Sequence, residues 1–269
     1  MELHTVRTGK KQVVVAPLGD VQWTGPEGAA AERLLRRHIE LALARDAYFL
    51  GLGDMIDFLS PSNRQRLRSA ALYDTADAVI DAKAHALVEE LYERVLKPTR
   101  GRWLGMLEGH HFYEAQGSTS DMWLAELLET SFLGTSAYIR LLPADVVLWA
   151  HHGVGNSVLP SGPLNKLYHV AHGFAGADVF VMGHTTRMGA VRLSRPEPDW
   201  ARGELRHRDI LLVNAGGFAK SSVVGHRMGR IVRGDYAEQK MLSPSPLAAP
   251  LIVIDGAAKN PAERIRVEL

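Results

Sequence analysis

Five short apolar runs in this chain each deliver a carboxylate or an imidazole at the carboxyl end, and that arrangement restricts the fold more than any other feature. VVVAPLG (13–19) leads to Asp20, and AYFLGLG (47–53) leads to Asp54 and Asp57. RWLGMLEG (102–109) ends at His110 and His111, VVLWA (146–150) at His151 and His152, and ADVFVMG (177–183) at His184. Continuous apolar runs of this length suit buried strands. Between them lie longer stretches with apolar residues at helical spacing: near 29–45, over about 63–96 with Pro98 closing the pattern, around 120–129 and near 164–173. Strands alternating with helices make an α/β layered fold, with further strands expected at 209–217 and 244–255 and a loop or hairpin excursion at 195–208. No repeat, low-complexity tract or linker divides the sequence, so 1–269 is expected to form a single domain.

Composition narrows the chemistry. There are no cysteines, which excludes disulfides and thiolate metal sites, so any bound ion must be held by oxygen and nitrogen. A net charge of +1 gives no general basic field and argues against long duplex DNA as a partner. The opening MELHTVRTGKKQ has no apolar leader core, and no run approaches the roughly 18 apolar residues of a membrane span. A cytoplasmic protein without a membrane partner is therefore expected.

Each strand-end residue also has a plain explanation. An Asp after a Gly is a common turn or helix cap, and a lone His is more often a hydrogen-bonded polar residue than a ligand. The paired histidines of MLEGHHFYE (106–114) could by themselves be a polar loop. Five repetitions of the same chemistry at the same place are harder to dismiss, because ligands of α/β sheets bind outside the carboxyl ends of the strands. A cluster of Asp and His without Cys suits Mn²⁺, Fe, Zn²⁺ or Ni²⁺.

The order of these motifs adds a resemblance. Asp20-Val21-Gln22, GDMID (53–57), Gly109-His110-His111, His152-Gly153 and GHTT (183–186) follow the order D-x-H, G-D-x-x-D, G-N-H, H-G, G-H-x-H. Over about 13–218 the sequence resembles the calcineurin-like metallophosphoesterases. SPSNRQ (60–65), FLGTSAYIRL (132–141) and GDYAEQKMLSPSPL (234–247) look like phage and prophage members, which would place the protein in a host cytoplasm. The resemblance implies a four-layer αββα sandwich of two mixed β-sheets flanked by helices, with a two-metal centre at the strand ends. Carried over by motif, Asp54 bridges two divalent ions, Mn²⁺ foremost, with Fe, Zn²⁺ or Ni²⁺ as alternatives. Asp20, Gln22 and the residue at 186 hold the first ion, and His110, His152 and His184 the second. His111 takes the place of the catalytic histidine that protonates the leaving oxygen, and Asp57 orients it or positions water. The implied activity is hydrolysis of phosphate esters, foremost phosphodiesters of nucleotides or nucleic acid, single-stranded ends included.

His151 is a candidate for contacting substrate or for supporting a metal ligand; Asn156, Arg64, Lys166 and Arg187 are candidates for holding phosphate oxygens, although a solvated surface is the plainer reading of these four. The choice of His152 over His151 as ligand rests on the H-G motif alone. Trp23 could stack on a base, with packing as its simpler role.

Three positions depart from the family pattern. Gln22 and Thr186 stand where it has His, and His110 where it has Asn. The first metal site thus loses two imidazoles while the second gains one. A loosely held first ion, other donors completing it, and a single tight ion all remain open. The alternative function is a non-catalytic metal-binding module derived from a phosphoesterase and acting in a phage or host protein complex. Retention of Asp20, Asp54, Asp57, His111, His152 and His184 argues against it. Oligomeric state is not legible in the sequence.

Overall fold

A computed structural model describes residues 1–269 except 27, 29, 60, 71–73, 116, 156–158, 160, 226, 229 and 259. In chain order the strands are β1 (Glu2–Arg7), β2 (Gln12–Leu18), β3 (Tyr48–Gly51), β4 (Trp103–Met106), β5 (Glu114–Ala115), β6 (Ser118–Thr119), β7 (Ser136–Leu142) and β8 (Val146–His151). They continue with β9 (Val179–Met182), β10 (Met188–Asp199), β11 (Glu204–Ala215), β12 (Arg227–Met228), β13 (Ile231–Val232), β14 (Leu251–Asp255) and β15 (Ile265–Glu268). The helices are α1 (Glu32–Ala44), α2 (Pro61–Ser69), α3 (Asp74–Leu91), α4 (Ser120–Leu127), α5 (Gly162–Gly173), α6 (Tyr236–Gln239) and α7 (Pro261–Arg264).

Two mixed sheets carry the architecture. One has the order β15-β14-β2-β3-β4, the other β1-β7-β8-β9-β11-β10. In the first, β2, β3 and β4 run parallel; in the second, β8, β9 and β11 do. The two-residue periodicity of each strand divides its side chains between two layers. On β9, Val179 and Val181 enter one core while Phe180 and Met182 enter another. On β8, Val146, Leu148 and Ala150 enter the same core as Val179, and Trp149 the same core as Phe180. The core holding Val13, Val15, Leu50, Leu148, Val181 and Val213 draws on both sheets, so it lies between them. A second core joins the first sheet to α1, α3 and α4, and a third joins the other sheet to α5. The result is four layers, with helices on both outer faces of a two-sheet sandwich, as the resemblance implied.

Several elements differ from the sequence expectation. The long helical region at 63–96 is two helices, α2 and α3, and α3 runs on through a π turn (Tyr92–Leu96) and a 3₁₀ turn (Lys97–Thr99) up to the stop around Pro98. Of the loop or hairpin expected at 195–208 the structure shows the hairpin, in which β10 and β11 pair along twelve residues. β1, β7 and β15 were not anticipated. Trp23 is fully buried, and its Nε1 donates to Glu90 Oε2 at 3.3 Å, which makes it a packing residue. Among the described residues no helix is long and apolar enough to cross a membrane.

Candidate metal centre

The parallel strands of both sheets bring their carboxyl ends to one place. Asp20 and Gln22 follow β2, Asp54 and Asp57 follow β3, and His110 and His111 follow β4. His152 follows β8, and His184 follows β9. The turns are sharp: Asp20, Gln22, Asp54 and His184 all have positive φ, between 49° and 67°. Side chains other than glycine pay for this left-handed region, and such strain collects where function demands a geometry. Gly53 and Gly109 stand back to back, and a Cβ on Gly109 would collide with the Asp54 backbone nitrogen and Oδ1. Only glycine permits the β3 and β4 turns to approach this closely.

Two carboxylates sit at the bottom. Asp20 is fully buried; its Oδ2 accepts from the His184 N–H at 2.7 Å, while its Oδ1 has no partner among the described residues. An orphaned buried carboxylate oxygen is costly unless something cationic meets it. Burial raises the Asp20 pKa to about 7. Asp54 behaves oppositely. Burial works to raise its pKa, but the facing His152 and the backbone amide of His111 hold it well below the usual range. Its Oδ1 accepts from the amides of His110 and, at 2.9 Å, His111, and its Oδ2 lies 3.3 Å from His152 Nε2.

Three imidazoles close over these groups. His152 Nδ1 donates to the Leu52 carbonyl at 2.6 Å, which turns Nε2 toward the carboxylates. That second bond fixes tautomer and orientation in the way a metal-ligating histidine requires. His184 Nδ1 lies 3.3 Å from His152 Nε2 and 3.2 Å from His110 Nδ1. Nitrogens of His110, His152 and His184 form one group of donors within 4.8 Å of one another, and Asp20, Asp54 and His152 form a second. His152 belongs to both. Burial lowers the pKa of His184 to about 4 and that of His110 as well, so both present lone pairs at neutral pH. For His152 burial is outweighed by Asp54, and its pKa is raised to about 9. The donor set, the unpartnered Asp20 oxygen and the two overlapping groups fit divalent metal.

Beside this cluster His111 Nδ1 lies 2.7 Å from Asp57 Oδ1, and that bond raises the pKa of His111. The other expected site residues fall out differently. His151 accepts the Gly153 N–H on Nδ1 at 2.7 Å and stacks on Trp149, apart from both donor groups. Gln22 is tied to the site through its backbone, its N–H donating to the Asp54 carbonyl at 3.0 Å. Thr186 stands near Asp20, both of them against Gly217. Asn156 lies outside the described residues. Arg64, expected as a substrate ligand, spends Nη1 on backbone carbonyls.

Two buried residues escaped the sequence reading. Asp121, in the first turn of α4, accepts the Gly109 N–H at 2.9 Å, and burial raises its pKa to about 7. Nothing local distinguishes it from an ordinary acidic residue at a helix start. Asn214, at the end of β11, donates to the Thr185 carbonyl at 2.9 Å and braces the loop after His184. Its position in VNAGG, at the end of a sixth apolar run, was the available signal.

Fold and site together define a mixed α/β protein with a buried histidine–aspartate cluster able to hold divalent metal. No family model matches the chain, and no curated protein matches its sequence. Among solved structures, the chain is similar to an archaeal phosphodiesterase, at 13% identity and a TM-score of 0.37, over 95% of this chain and 99% of that one.

The proton balance yields a test. His152 (about 9) and Asp20 (about 7) hold protons near neutrality in the metal-free protein, and an ion must displace them. Both pKa values are raised, so their protonated forms stabilise the metal-free fold at low pH, and that contribution fades as pH climbs through 7 and then 9. Metal affinity should therefore rise with pH, by about tenfold per unit for each proton released below its pKa. Calorimetric Mn²⁺ titrations at pH 6.5 and 8.5 read this directly. Equal affinity at both would mean that binding releases no proton from His152 or Asp20.

Proposed function

We propose that the protein is a metal-dependent phosphodiesterase acting on nucleotide or nucleic-acid phosphodiesters, single-stranded ends included. The observation that carries this reading is the pair of overlapping donor groups around His152, with the His111–Asp57 pair beside them. In the proposed assignment His110, His152 and His184 hold one ion, and Asp20 with Gln22 a second. Asp54 would offer its carboxylate to both. Two divalent cations would neutralise charge on the phosphate and lower the pKa of an attacking water. The protein's own part is orientation and proton supply. Asp57 fixes His111 Nδ1, leaving Nε2 to give its proton to the departing oxygen. Asp54 holds the His110 and His111 amides, so one carboxylate fixes the backbone from which both rings project.

The two ions should not bind alike. The all-imidazole group favours borderline transition metals, whereas the oxygen-rich group around Asp20 suits harder ions such as Mn²⁺. The expected result is a tightly held ion and an exchangeable one. Protein purified without added metal should hydrolyse bis-p-nitrophenyl phosphate slowly, gain activity on addition of Mn²⁺, and prefer the diester to the mono-ester. Metal binding without turnover of either ester would leave the non-catalytic metal-binding module. A phage origin and a host-cytoplasmic location remain part of this proposal, supported by the sequence resemblance alone.

A further inference from the structure

The turn that carries His110 and His111 is held on both sides. On its N–H side, Gly109 donates to Asp121 Oδ2 at 2.9 Å, and His110 and His111 donate to Asp54 Oδ1. On its carbonyl side the partners come from the segment after β3. The amides of Phe58 and Leu59 donate to the His111 carbonyl at 3.2 and 3.4 Å. Arg64 Nη1 donates to the carbonyls of His110 at 2.6 Å and Phe112 at 2.9 Å, the two residues flanking His111. The Leu59 carbonyl lies 2.8 Å from the same nitrogen, so its two hydrogens are shared among three carbonyls, and the guanidinium carbon lies 3.7 Å from the centre of the Phe112 ring.

We propose that Arg64 is a positioning residue that fastens the His110–His111 turn to the segment bearing Asp57. It rests on the phosphodiesterase reading only for its kinetic consequences. The arginine needs no phosphate to explain its place. A guanidinium can satisfy several carbonyls at once while stacking on an aromatic face, and a lysine cannot do both. By binding Leu59 on one side and His110 and Phe112 on the other, Arg64 fixes the Asp57 segment relative to the ring that Asp57 orients. The described side chains of its helix, α2, are exposed or half-buried, so the apolar core does little to seat that helix. Among the described residues Arg64 ties it to the turn. A small drift of the turn would misplace both rings, and displacements of about 1 Å in such assemblies cost on the order of 10²-fold in rate.

The test separates positioning from substrate contact. Arg64→Ala should lower kcat by about 10–100-fold with KM changed by less than about threefold. Arg64→Lys should recover part of the loss, and guanidinium ion should restore part of the activity of Arg64→Ala. Amide hydrogen exchange supplies a readout that needs no activity. In Arg64→Ala the amides of Phe58, Leu59, His110 and His111 should exchange faster, while those of Val15 and Leu148 in the sheets stay protected. A variant whose KM rises with kcat intact would make Arg64 a substrate ligand and overturn the proposal. So would unchanged exchange at the turn. If the wild type hydrolyses no phosphate ester, the phosphodiesterase reading falls, and the exchange experiment still decides the clamp.

Discussion

Asp54→Asn is expected to lose most metal binding and to lower turnover by roughly 10²–10³-fold or more, with the fold intact. Asn retains the oxygen that accepts the His110 and His111 amides, so the β4 turn keeps its support. It also tolerates the left-handed backbone (φ 53°) better than nearly any other replacement. What disappears is the charge, in a buried place where a fixed negative group is the main attraction for a cation. Removing one member of a buried ion pair usually destabilises strongly, because the other charge is left alone. Here His152 has a way out. Without the carboxylate 3.3 Å away its pKa falls, and it sheds its proton and becomes neutral. The circular dichroism spectrum of the metal-free variant should therefore match wild type, while calorimetry detects little Mn²⁺ binding. A variant with full metal content and normal turnover would remove Asp54 from the proposed centre.

Much of this site could be read from sequence because its logic is local. A strand that ends in glycine and then a charged or imidazole side chain announces a sharp turn with something to hold. Repetition across β2, β3, β4, β8 and β9 made the joint reading stronger than any single motif. The two-sheet fold was harder. β1 is an edge strand with no buried residue, so ELHTVR carries none of the apolar signal that reveals β9. Residues 63–96 held enough Ala, Leu and Arg to read as a single helix, and no proline or glycine stands between α2 and α3 to mark the division.

The supporting shell was the least legible part. Asp121, Asn214 and Arg64 act through backbone groups distant in sequence: twelve residues for Asp121 and Gly109, 29 for Asn214 and Thr185, and 46 for Arg64 and His110. Periodicity and motif spacing report side-chain patterns. They do not report which carbonyl a folded arginine will meet, and so Arg64 read as a solvated surface residue or a phosphate ligand. The choice between His151 and His152 was likewise invisible locally. In the fold, the alternation of β8 sends His151 toward Trp149 and the next residue toward Leu52 and Asp54.

His110 and His111 are adjacent, yet their environments push them apart, and the corresponding substitutions should part in the same way. Burial lowers the pKa of His110 and leaves a neutral ring whose Nδ1 faces His184. The bond to Asp57 raises the pKa of His111 and favours its protonated form. Titratable neighbours with opposed shifts are how one site supplies both a ligand and an acid. His111→Ala should keep metal affinity within about threefold of wild type and lower kcat by about 10²–10⁴-fold, the usual worth of a positioned general acid. Its pH–rate profile should also lose the alkaline limb, where wild type declines as His111 deprotonates. Asp57→Asn should keep that limb and move it to lower pH, since the group that raises the His111 pKa is gone. His110→Ala should instead weaken metal binding by at least about 10–100-fold and lose activity through the missing ion, so that excess Mn²⁺ recovers part of the rate. Calorimetry paired with pH–rate profiles distinguishes the two cases. The assignment fails if His111→Ala strips the metal, or if His110→Ala leaves both binding and rate intact.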